Sequence, residues 1–77
     1  MRKIKLIWDF HGPDAKGIAE HHVIHLKEFA EKEHLEVLEF GEEMLSEKHF
    51  TAYMAVLEKD MLLVRDTLRP HRGELFN

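Results

Sequence analysis

Histidine supplies the first chemistry this chain offers. Seven of its 77 residues are histidines, and their rings exchange protons near neutral pH. His22 has Ile18 and Leu26 one helical turn to either side, so on a helix it falls inside an apolar stripe. A ring in that position needs a hydrogen-bond partner or a task, as general base, general acid or substrate anchor. His22 is therefore the candidate catalytic residue. Asp9 is poorly placed to orient it, because regular strand alternation turns Asp9 to the opposite face. His21 and His25 lie four residues apart, a spacing at which two imidazoles on one helix can share a metal. The run His21-His22-Val23-Ile24-His25 differs from the zinc-protease pattern His-Glu-x-x-His, because the residue after His21 is His22 and not glutamate. Spacing fixes no third ligand, although Glu20, Glu28 and His11 stand as candidates. No metal or cofactor is expected, with His21 and His25 kept as the weak metal candidates.

The elements that position these side chains follow from periodicity. Lys3 to Phe10 reads as a strand with Ile4, Leu6, Trp8 and Phe10 on one face. Gly12-Pro13 breaks it, and Asp14 is placed to cap the next helical turn. A helix runs from Pro13 or Asp14 to about Leu35, its stripe made by Ala15, Ile18, Ala19, His22, Val23, Leu26, Phe29 and Ala30. Glu36 to about Met44 reads as a second strand, in which Gly41 implies a bulge or a close approach. A short helix across Glu42 to Glu47 is the alternative there, and in the hairpin reading Leu45 to Lys48 hold the turn. His49 to Leu57 is a third strand with no charge on either face, the pattern of a central strand. A polar break at Glu58-Lys59-Asp60 starts a second helix that Pro70 stops near Arg69. Glu74 to Asn77 is a short last strand.

Strand, helix, strand, strand, helix, strand is the order of the ferredoxin-like split βαβ unit. The chain is accordingly expected to be one α+β domain over residues 1–77, with two helices on one face of a four-stranded antiparallel sheet and the first and third strands central. That topology gathers His11, His49, Arg69, His71 and Arg72 at one end of the sheet, near the start of the long helix. Such a basic rim suits a carboxylate or phosphate, and these five are the candidate ligand-binding residues. The other face would carry Ile7, Tyr53, Ala55 and Leu57, with Val37 beside them. This is an apolar patch on which two copies could pack as a homodimer.

Composition narrows the classes. The net charge of −4 disfavours nucleic acid. No apolar run approaches the ~20 residues of a membrane span, and the N-terminal apolar stretch is interrupted by Lys5 and Asp9, unlike a signal peptide. Cysteine is absent, which excludes disulfides and fits a reducing compartment, so the cytoplasm is expected. Three functions remain. One is a small-molecule-binding domain holding an anionic or carboxylate-bearing ligand with His22, His71, Arg69 and Arg72. Another is a small cofactor-free enzyme using His22 as acid or base, with Arg69 or Arg72 steadying a developing anion. The last is a protein-interaction module acting through Tyr53 and Leu57.

Overall fold

The structure, a computed structural model, describes residues 2–76. Its elements run β1 (Lys3–His11), α1 (Ala15–Lys32), β2 (Val37–Ser46), β3 (His49–Leu57), α2 (Glu58–Leu68) and β4 (Arg72–Leu75). The strands form one antiparallel sheet in the order β2-β3-β1-β4. The chain is thus α+β, a four-stranded antiparallel sheet with two helices. Among the described residues no helix is long and apolar enough to cross a membrane.

Alternation along β1 and β3 gives the sheet its two faces. Leu6 and Trp8 of β1 and Ala52, Met54 and Val56 of β3 share one core with Leu26 and Ala30 of α1 and Val64 of α2. Both helices therefore cover the same face. Each large side chain enclosed there contributes roughly 1.5–3 kcal/mol. Trp8 also ties strand to helix, donating its indole N–H to the Leu68 carbonyl at 2.9 Å. That bond satisfies one of the carbonyls left free at the end of α2. At the other helix, His34 takes the left-handed conformation at φ 54°. Leu35 N–H then reaches the Ala30 carbonyl at 2.9 Å and His34 N–H the Glu31 carbonyl at 3.3 Å, which closes α1 in a Schellman turn.

Several sequence expectations are corrected. Asp14 stands at the N-cap of α1, but its side chain makes no capping bond. Ile18 is 47% exposed, because Ala15 and Ala19 let the helix settle closely on Phe50 and Phe10 and turn Ile18 outward. Residues 42–46 are strand, not helix, and the turn shrinks to Glu47 and Lys48. A register shift between Val37 and Glu39 reverses the expected parity there. Val37 packs on the core and Leu38 is exposed. The last strand begins at Arg72, two residues earlier than expected.

The open face is also different from its sequence reading. Ile7 is 3% exposed and Ala55 0%, so half of the expected apolar patch is enclosed within a single chain. Long polar side chains spread over this face. Tyr53 donates its hydroxyl to Glu39, and the Lys5 ammonium stands 4.3 Å from the Tyr53 ring centroid. Lys5 also pairs with Glu43 and lies 4.0 Å from Glu74. The Tyr53 ring crosses Gly41 so closely that a Cβ there would sit 2.5–2.7 Å from its outer atoms. Gly41 is thus the close approach read from the sequence, and the bulges of β2 lie elsewhere.

Candidate functional site

Asp9 is the hub of the end of the sheet where the histidines were expected to gather. It points to the open face from β1, paired in register with Thr51 of β3 and two residues from Ile7, the register partner of Arg72 in β4. Arg72 grips its carboxylate with two bonds, Nε to Oδ2 at 3.0 Å and Nη2 to Oδ1 at 3.1 Å. His49 Nε2 lies 2.8 Å from Oδ1. The guanidinium of Arg72 beside it holds the Asp9 carboxyl well below the usual carboxylate range, against burial, and the His49 bond acts in the same direction. An ionised carboxylate only accepts, so His49 donates to it from Nε2.

Two more rings join this group. The His11 ring stacks on His49 with centroids 4.1 Å apart and planes 20° from parallel. The backbone N–H of Asp9 donates to His71 Nδ1 at 2.7 Å, so His71 accepts at that nitrogen and is unprotonated there. His11, His49, His71 and Arg72 therefore converge, as the topology implies. The charge of Arg72 is already answered by Asp9, the residue that sequence reasoning weighed only as a partner for His22. The signal for it was register: antiparallel strands that set His11 against His49 also set Asp9 beside Arg72.

Across the sheet, His22 lies between Trp8 and Phe10. Its ring centroid is 5.1 Å from that of Trp8 and 5.3 Å from that of Phe10, at steep interplanar angles. His22 Nε2 is enclosed and has no hydrogen-bond partner among the described residues. Burial pushes its pKa below the usual histidine value, and His25, His71 and His21 push the same way. Asp9 is committed to the opposite face, so the orienting carboxylate that general-base chemistry asks for is not Asp9.

Arg69 stands apart from the histidine cluster. It ends α2 in the left-handed conformation at φ 48° and, with Arg65, Asp66 and Pro70, lines a hollow of about 430 Å³. Arg65 and Pro70 also border a second hollow, a cleft of about 390 Å³ between α2 and β4. Ile4, Leu6, Met61 and Leu75 supply its apolar walls, and Arg72 borders it from β4 while its guanidinium is held by Asp9. Gly73 makes the opening. A Cβ there would stand 3.4 Å from Leu6 Cδ2 and 3.8 Å from Ile4 Cγ2, so a larger side chain would fit and would fill the space. Sequence reasoning missed Arg65, Met61, Gly73 and Leu75 in this role. The readable signal was Arg65 near the end of α2 together with a glycine in a short edge strand. Two further hollows lie at Leu35–Phe40 and at Pro13–His21, and none of the four is lined by His22. Among the described residues no group of three or more His, Cys, Asp or Glu side chains is arranged to hold a metal. No protein family, curated protein or solved structure matches the chain.

Proposed function

We propose that this chain is a ferredoxin-like domain that binds a small apolar carboxylate in the cleft between α2 and β4. The fold assignment is supported by the central position of the first and third strands and the edge positions of the second and fourth. The ligand class is supported by one observation above all, a cleft of about 390 Å³ whose apolar walls meet Arg65 at the rim. Small-ligand sites are typically apolar hollows of ~300–1,000 Å³ with a few placed polar groups. Arg72 is engaged with Asp9, so Arg65 is the carboxylate's principal partner. Among the described residues its one ion pair is with its exposed neighbour Asp66, at 3.2 Å, an interaction worth little in water. The ligand's apolar body lies against Met61 and Leu75, and its carboxylate accepts from the Arg65 guanidinium.

The test is a backbone-amide NMR titration with benzoate and hexanoate. Saturable shifts at Ile4, Leu6, Met61, Arg65 and Leu75 support the reading. Gly73→Val, which fills the cleft, should abolish them, and Arg65→Gln should weaken binding about tenfold, the loss of one charge-assisted hydrogen bond. Saturable binding that survives Gly73→Val overturns the proposal.

A second reading, in which His22 is a general base, is favoured by its enclosed and unpartnered Nε2. A substrate would then have to enter between Trp8 and Phe10, and solvent accessibility of His22 to a small histidine-modifying reagent separates the two readings.

A further inference from the structure

His21 and His25 face each other on the exposed side of α1. Their Nε2 atoms are 2.8 Å apart, with the two rings at 85° and their centroids separated by 4.4 Å. Two neutral imidazoles can share one proton at that distance, one donating and the other accepting. Glu28 biases the arrangement. Its Oε1 stands 3.2 Å from His25 Nδ1, and a carboxylate there favours a proton on Nδ1. The His25 Nε2 lone pair is thereby aimed at His21. Metal-ligating histidines usually show this pattern, one ring nitrogen toward the ion and the other toward a carboxylate or carbonyl.

We propose that His21 and His25 form a two-histidine site for a divalent d-block cation, with Cu²⁺ bound most tightly. Charge and donor type exclude the alternatives: imidazole suits Cu, Ni and Zn, whereas Mg²⁺ and Ca²⁺ take oxygen donors. Geometry then chooses among the three. With metal–nitrogen bonds of about 2.05 Å, donors at right angles stand about 2.9 Å apart, whereas tetrahedral donors stand about 3.3 Å apart. The free pair, held at 2.8 Å by its hydrogen bond, needs less adjustment to reach the right-angle separation of tetragonal Cu²⁺ and Ni²⁺ than the tetrahedral one of Zn²⁺. The Irving–Williams order favours Cu²⁺ as well. Binding needs no movement of the backbone. The proton that His21 carries on Nε2 passes through solvent to Nδ1, so both Nε2 lone pairs face the ion and the net proton count is unchanged. The remaining coordination positions are filled by water. The site is independent of the α2–β4 cleft, which lies on other elements.

The measurement is calorimetric titration of the untagged chain with CuCl₂, NiCl₂ and ZnCl₂, repeated on His21→Gln, His25→Gln, Glu28→Gln and His34→Gln. One equivalent of Cu²⁺ should bind, more tightly than Ni²⁺ and Zn²⁺. Either His21→Gln or His25→Gln should weaken Cu²⁺ by on the order of 100-fold, the cost of losing the second donor of a chelate. Glu28→Gln should weaken it by about tenfold, and His34→Gln should change nothing. All four positions are exposed, so the circular dichroism spectrum should be unaltered and folding does not confound the result. Copper binding that persists in His21→Gln and His25→Gln places the ion elsewhere, for instance on the His11–His49 pair, and overturns the proposal. So does a chain that binds no Cu²⁺ at all.

Discussion

The two faces of the sheet treat polar side chains in opposite ways. On the open face, Asp9 accepts from Arg72 twice and from His49 once, and its own N–H is taken by His71. On the helix face, barely a strand's thickness away, His22 Nε2 has nothing. The neighbours of each explain the contrast. Asp9 looks across toward β3 and β4, whose residues there are His49 and Arg72. His22 looks at the rings of Trp8 and Phe10: phenylalanine has no polar atom, and the Trp8 indole N–H is already given to the Leu68 carbonyl. The difference teaches that the side chains richest in chemistry mostly hold this molecule together, and that its openings for a ligand lie where side chains are small or absent.

The largest effect should come from breaking the open-face hub. Asp9→Ala leaves a guanidinium and an imidazole without their acceptor, and stability in urea should fall by about 2–4 kcal/mol. Arg72→Ala should cost less, because His49 still pairs with Asp9. Acid should act on the same hub. The folded pKa of Asp9 is held below its unfolded value, so its contribution is complete above about pH 4 and is lost as pH falls through the folded value. The slope of stability against pH below about 4 should flatten in Asp9→Asn, and an unchanged slope would remove Asp9 from the account. Next in size is Gly41→Val, whose Cβ would press on the Tyr53 ring. A loss of about 1–2 kcal/mol is expected, largely recovered in Gly41→Val with Tyr53→Ala. On the helix face the sign reverses. His22→Leu removes an enclosed nitrogen without a partner and should raise the thermal midpoint, with a gain of about 1 kcal/mol. A loss instead would mean that the His22 ring is bonded in solution. The smallest change in stability, within about 0.5 kcal/mol, should come from Gly73→Val, the substitution expected to abolish carboxylate binding.

How much of this was legible varies with the element. β1 and β3 could be read closely because their alternation is regular and both are central. β2 could not, because the shift at Leu38 reverses parity partway along and no residue type announces it. β4 starts on Arg72-Gly73, which carries no strand propensity, and its pairing is imposed by β1. The convergence of His11, His49, His71 and Arg72 followed from topology alone. Asp9 as their centre did not, because its partners lie 40 and 63 residues away in sequence and only register brings them together. The cleft was hidden for a simpler reason: it is made by what Gly73 lacks.

The placement of β1 has a consequence for how the molecule comes to exist. β1 lies between β3 and β4, yet it is synthesised before either. Until Arg72–Leu75 arrive, one margin of a central strand bearing Leu6, Ile7 and Trp8 offers unpaired amides beside apolar side chains. That is the kind of surface on which nascent chains stick to one another. Closure depends on contacts far apart in sequence, which slows folding. A brief vulnerability during synthesis is therefore built into the topology, and β4 is the short strip that ends it. Hydrogen exchange should show this directly, with the amides at the β1–β4 seam opening before those between β1 and β3.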